Sequence, residues 1–126
     1  MTLEKTSAMI LVIETDPLMR DMLHHFLVDQ GYQVIPAPNE REAIEKVRQY
    51  GEAIRVVISD VEVRDRGDVW AFQIIKETSP SVQFIVTSTF LNPHAREILK
   101  QEGVQHILQK PYTPDEILSA LRELFQ

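Results

Sequence analysis

Short apolar runs alternate with segments of helical period five times along this chain, and that alternation restricts the fold more than any other feature. The runs are Ala8-Met9-Ile10-Leu11-Val12-Ile13, Tyr32 to Ala37, Arg55-Val56-Val57-Ile58-Ser59-Asp60, Val82 to Thr87 and Val104 to Gln109. Each reads as a strand; the third, an apolar run ending on a carboxylate, reads as a buried parallel strand, and the first is a second uninterrupted apolar run. Between and after them, apolar residues recur at helical spacing, as in Leu18, Met19, Met22, Leu23, Phe26 and Leu27, or Ile117, Leu118, Leu121, Leu124 and Phe125. Helix starts are marked by Asp16-Pro17, Asn39 through Glu42, Asn92-Pro93 and the capping box Thr113-Pro114-Asp115-Glu116; Gly31, Gly51, Pro80 and Gly103 mark the ends. Pro36 makes the second run an edge strand, since proline cannot donate to a ladder. Strands that alternate with helices over short connections pack in parallel. The pattern predicts an α/β, doubly wound five-stranded parallel sheet with five helices, some on each face.

At 126 residues, one domain suffices, and it buries roughly two thirds of the surface its unfolded chain exposes. There is no cysteine, which excludes disulfides, thiolate metal sites and cysteine nucleophiles. Residues 1–7 contain no long apolar stretch, and no later run is long enough to span a bilayer, so the expectation is a cytoplasmic protein with no membrane partner. Thirteen basic against nineteen acidic residues give a net charge of -6, which argues against direct nucleic-acid binding. Residues 8–126 form one unit with 1–7 as a lead-in. No effector segment follows the last helix, so the expectation is a stand-alone unit or an excised piece of a longer protein.

In a doubly wound sheet, ligands sit beyond the carboxyl ends of the strands. The sequence places Glu14 and Thr15 after strand one, Asp60 at the end of strand three, Thr87 to Thr89 after strand four and Lys110 after strand five. Two carboxylates, a hydroxyl and an ammonium around one crevice suit a divalent cation and a phosphoryl group. Carboxylates bind hard Mg²⁺, lysine acts as a point charge on phosphate oxygens, and the hydroxyl donates a hydrogen bond. Asp60 is the candidate nucleophile.

With these residues in place, the chain resembles the response-regulator receiver domains of two-component signalling, including the single-domain chemotaxis type, over residues 8 to 125. The resemblance implies the CheY-like, flavodoxin-like sheet order 2-1-3-4-5. It implies that Asp60 accepts the phosphoryl group, that Lys110, followed by a cis-type Pro111, and Thr87 stabilise it, and that Glu14 is the first of an acidic pair. It further implies Mg²⁺ as cofactor, held by Glu14, Asp60 and the backbone carbonyl of Glu62, and a sensor histidine kinase as donor. A downstream protein would read the face of helix four, strand five and helix five. A second copy of the chain is a further candidate partner. On this resemblance the domain is expected to be regulatory and not an enzyme, beyond slow self-phosphorylation and autodephosphorylation.

The departures from the family pattern carry expectations of their own. Thr15 stands where the family has a second aspartate. Losing a carboxylate about 4 Å from a cation forfeits up to roughly 4 kcal/mol at an effective dielectric near 20, partly offset by relieved repulsion. Weak Mg²⁺ binding and slow phosphorylation follow. Asp16 beside it is explained as a helix cap. Val63-Arg64 replaces the usual Met-Pro, and Gly67-Asp68 an Asp-Gly order. Ile107 occupies the place of the rotating aromatic that couples to the Thr87 hydroxyl. A β-branched aliphatic is stiff and apolar, so the switch is missing or rerouted through Tyr112 or Phe90.

Two other readings compete. A pseudo-receiver would use the same fold as a phosphorylation-independent interaction module, as Thr15 and Ile107 imply. A haloacid-dehalogenase-like phosphatase is favoured only by Asp60-Val61-Glu62-Val63, whose spacing is similar to an Asp-x-Asp nucleophile loop. That motif falls on the third strand instead of the first, and no acidic pair follows Lys110. The flavodoxin reading fails because Glu14-Thr15-Asp16-Pro17 lacks a hydroxyl-rich phosphate loop. His24 and His25 read as exposed helix residues, and His94 and His106 have no zinc-ligand spacing. Trp70 reads as half-buried packing and Arg64 and Arg66 as a solvated loop.

Overall fold

The computed structural model describes residues 8–125; the lead-in, residues 1–7, and Gln126 lie outside the described residues. Strands β1 (Met9–Ile13), β2 (Gln33–Ala37), β3 (Ile54–Asp60), β4 (Gln83–Ser88) and β5 (His106–Gln109) form one parallel sheet in the order β2-β1-β3-β4-β5. Helices α1 (Pro17–Asp29), α2 (Glu40–Tyr50), α3 (Trp70–Thr78), α4 (Pro93–Gln101) and α5 (Pro114–Leu124) alternate with them. The predicted order and element count are those observed. Pro36 sits on β2, an edge strand, opposite Val12.

The helices divide between the two faces. Leu27 of α1 and Ile117, Leu118 and Leu121 of α5 pack on Ile10, Val12, Ile58 and Ile85. On the other face, Val47 of α2, Phe72 and Ile75 of α3 and Leu99 of α4 pack on Leu11, Val57, Phe84 and Val86. Odd and even strand residues thus go to opposite sides, as a period of two requires. The central positions are sealed: Ile10, Leu11, Phe84 and Ile85 are fully buried, each contributing about 1.5–3 kcal/mol of hydrophobic stabilisation.

Four of the five helix starts are made by the residues that mark them in the sequence, and α3, which follows a 3-10 turn, has no side-chain cap of its own. Asp16 accepts the Leu18 N–H at 2.9 Å, Asn39 that of Glu42 at 2.9 Å and Asn92 that of Ala95 at 2.7 Å. Thr113 and Glu116 form the reciprocal capping box. The ends of the first four strands shift by a single residue, and two other boundaries move for a physical reason. The fifth strand begins at His106 and not at Val104, because the Val104 N–H still closes the end of α4 on the Leu99 carbonyl. A 3-10 turn, Arg66–Val69, precedes α3, capped by Asp65 and Asp68, so that helix begins at Trp70.

Candidate phosphoryl site at the sheet rim

Parallel pairing fixes the rim residues before any side chain is considered. The Glu14 N–H bonds the Ala37 carbonyl at 3.1 Å, the Val61 N–H the Thr87 carbonyl at 3.0 Å, and the Lys110 N–H the Ser88 carbonyl at 2.7 Å. Asp60 pairs with Thr87 in register. Glu14, Asp60, Thr87 and Lys110 each lie two positions past a residue of the α1/α5 core, namely Val12, Ile58, Ile85 and Leu108. The alternation that buries those four apolar side chains brings the four polar ones to one side of the rim.

Their convergence is direct. Lys110 Nζ lies 3.1 Å from Glu14 Oε1 and 3.1 Å from Asp60 Oδ1. Glu14 is only 5% exposed; its Oε2 accepts the Asp16 N–H at 3.1 Å, while Arg20 Nη1 donates to its backbone carbonyl at 2.8 Å. Burial pushes the Glu14 carboxyl above its ordinary value. The Asp60 carboxylate adds to that shift, and the Asp16 N–H and Lys110 oppose it. Burial works against the Lys110 ammonium, but its hydrogen bonds to Asp60 and Glu14 outweigh this and hold the proton above the ordinary lysine value. Lys110 is therefore a firm cation, suited to neutralising anionic oxygens. The Lys110-Pro111 peptide bond is cis.

Thr87 is buried at 2% exposure. Ile107 pairs with Val86 and packs against the α2/α3/α4 core, so its side chain goes to the opposite face from the alternation that carries Thr87. Tyr112 is half-buried against the α1/α5 core beside Met19, Met22 and Phe26, and burial pushes its hydroxyl up. Phe90 is 68% exposed, with its backbone held by the buried Ser88 hydroxyl.

Asp60 also opens onto a groove of about 720 Å³ lined by Thr15, Asn39, Glu40, Arg41 and Trp70 among others. Here the structure adds to the sequence reading, in which Trp70 is half-buried packing. Trp70 is 45% exposed and forms a wall of the groove, because the 3-10 turn places it at the start of α3. Arg66 is not merely solvated, since its Nη1 meets Glu102 Oε2 at 3.4 Å and ties the acceptor loop to the end of α4. His106 Nε2 pairs with Glu123 at 3.2 Å. The first turn of α2 was missed as a site element. The signal was available: β2 adjoins β1, so the end of β2 delivers α2 to the same rim.

The oxygen-bearing side chains at this rim are the Glu14 and Asp60 carboxylates, joined through Lys110, with Thr15 lining the groove beside Asp60. Such a hard set fits Mg²⁺, which takes one or two protein carboxylates and keeps several waters. It is a sparse set: among the described residues no group of three or more His, Cys, Asp or Glu side chains is gathered for a metal.

A family model described as the response regulator receiver domain matches residues 10–122. The chain belongs to that family. It is 24% identical to the chemotaxis protein CheY of Bacillus subtilis over 115 residues, covering 90% of this chain and 94% of that protein. It is 37% identical over 89 residues to the transcriptional regulatory protein YesN of the same organism, covering 70% of this chain. The chain spans only 23% of YesN and 13% of the sensor kinase CckA of Brucella abortus, another relative. Among solved structures, the Vibrio cholerae chemotaxis protein CheY4 superposes with a TM-score of 0.81 at 25% identity, covering 93% of this chain and 98% of that one. A receiver domain from Methanospirillum hungatei gives 0.83 at 19% identity, with 94% and 93% covered, and confirms the fold alone. This receiver domain is regulatory by family, and among its described residues no helix is long and apolar enough to cross a membrane.

Proposed function

We propose that the domain, taken as residues 8–126, accepts a phosphoryl group on Asp60 from a histidine kinase of the cell interior and thereby changes its affinity for a downstream protein. The observation that carries this reading is the Lys110 ammonium 3.1 Å from both Asp60 and Glu14, a pre-placed cation beside a nucleophilic carboxylate. A carboxylate oxygen of Asp60 attacks phosphorus, a P–O bond forms as the donor's P–N bond breaks, and the bonding pair leaves on the imidazole nitrogen. Lys110 neutralises the phosphoryl oxygens, exchanging an Asp60 oxygen for one of them, and Thr87 donates its hydroxyl to another. Glu14, Asp60, Thr15 and the Glu62 carbonyl would hold Mg²⁺, which supplies charge neutralisation when bound. The face of α4, β5 and α5 is the surface read by the partner, a protein and not nucleic acid, given the net charge of -6. Homodimerisation through it is a variant of the same output.

The test is mass spectrometry after incubation with Mg²⁺ and a small acyl phosphate. A single phosphoryl adduct that disappears in Asp60→Ala is expected; no adduct at any Mg²⁺ concentration refutes the reading. Thr15 favours one competing proposal, a receiver that works as an interaction module without phosphorylation. An adduct that forms only in Thr15→Asp establishes that alternative.

A further inference from the structure

The groove beside Asp60 contains a carboxylate that the fold does not account for. Glu40 is the first residue of α2, directly after the Asn39 cap, and it lines the groove with Thr15, Asp60 and Trp70. Its Oε2 is buried and has no hydrogen-bond partner, the only such side-chain atom among the described residues. An acid in the first turn of a helix is favoured by the helix dipole, but that preference needs no burial. Glu42, in the same turn, meets it from the exposed edge of the same groove. A buried orphan oxygen is unfavourable unless something satisfies it. Burial, with the Asp68 carboxylate nearby, also raises the proton affinity of Glu40 above that of an ordinary glutamate. Both features are relieved by a cation in the groove, and the groove is where the neutral Thr15 leaves one short of charge.

We propose that Glu40 supplies the negative charge toward a Mg²⁺ ion at the Asp60 rim that Thr15 does not, acting across the groove through metal-bound water. The inference rests on the phosphoacceptor reading for the position of the ion. The contact is outer-sphere because no three acidic or histidine side chains are gathered for direct ligation among the described residues, and Mg²⁺ gives up its waters reluctantly. Arg41 lines the same groove and opposes the cation, which makes a compensating carboxylate on that wall the more necessary.

Calorimetric titration of the full chain with Mg²⁺ tests it, using Glu40→Gln, Glu45→Gln and Asp60→Asn. Glu40→Gln should weaken binding roughly 5- to 30-fold, as a unit charge several ångströms away does at intermediate dielectric. Glu45→Gln, which removes the same charge from an exposed position of α2 outside the groove, should change it less than twofold. The melting temperature of Glu40→Gln should hold or rise, because the orphan charge is gone, and Glu40→Asp should bind Mg²⁺ better than Glu40→Gln. Equal effects of the two glutamine variants, or unchanged affinity in Glu40→Gln, overturn the assignment of Glu40 while leaving Asp60 intact. Unchanged affinity in Asp60→Asn removes the ion from this rim, and the proposal with it, whereas the phosphoryl adduct is judged separately by mass.

Discussion

Lys110 and Asp60 make their 3.1 Å ion pair across an intervening strand, from the ends of β5 and β3 with β4 between them. The pair therefore reports on the shape of the whole rim. The Lys110 ammonium has a folded pKa above its ordinary 10.5, so its contribution to stability is fully present below pH 10.5 and is lost as pH rises through the folded value. In Lys110→Met, the difference from the wild type, read from urea midpoints between pH 9 and 12, should shrink along that limb. The same variant should slow phosphoryl adduct formation at least about tenfold, since a pre-placed cation is worth that much or more to developing anionic charge. Wild-type adduct kinetics in Lys110→Met would remove the ammonium from the chemistry.

Glu14 has the opposite sign from a stabilising salt-bridged acid. Its folded pKa lies above 4.5, so the folded state binds this proton more tightly than the unfolded state does. Its ionisation costs stability above the folded value, and that cost vanishes below 4.5. The stability assigned to this residue thus falls as pH rises through the window. Glu14→Gln should flatten the stability profile just above pH 4.5 relative to the wild type, as measured by chemical denaturation at closely spaced pH values. A wild-type slope that survives in Glu14→Gln would assign it to other carboxylates.

The fold was legible because its determinants are local. Apolar runs such as Ile10 to Ile13 and Val56 to Ile58 have a strand's length and no polar alternation, and Asp16, Asn39, Asn92 and Thr113 announce their helices by side-chain chemistry that needs no partner from afar. The Glu14, Asp60 and Lys110 constellation was legible for a related reason: in a parallel sheet, every strand ends at the same rim. The groove was not. Trp70 and Glu40 enter it through the 3-10 turn after Asp65 and the lateral position of α2, and neither follows from periodicity. The Arg66 to Glu102 pair joins residues 36 apart in sequence, a contact that only the packing of α3 beside α4 creates.

Thr15→Asp restores an acid to a rim that already has Glu14 and Asp60. Mg²⁺ should bind at least about tenfold more tightly in calorimetry, with roughly 4 kcal/mol of added attraction at 4 Å as the ceiling and repulsion among three acids reducing it. Without metal that repulsion is uncompensated. The variant should melt below the wild type in a chelator and recover in millimolar Mg²⁺, because a ligand of the folded state stabilises it by mass action. Equal metal responses in both proteins would mean that Thr15 already serves as well as an aspartate.

Ile107 separates packing from signalling. Its side chain packs on the α2/α3/α4 core beside Val86, away from the face where Thr87, Asp60 and Lys110 meet, and it has no group that can donate to a phosphoryl oxygen. Ile107→Ala removes part of a half-buried aliphatic side chain, and a loss of about 1–2 kcal/mol is expected, below the 2–5 typical of fully buried sites. Adduct formation should stay within twofold of the wild type once both proteins are assayed well below their melting temperatures. Ile107→Val, which keeps the branched shape and loses one methylene, should cost about 1 kcal/mol or less. Should Ile107→Ala slow phosphorylation tenfold while Lys110 and Thr87 are unchanged, the aliphatic side chain couples to the site through β4, and the opposite-face placement does not insulate it.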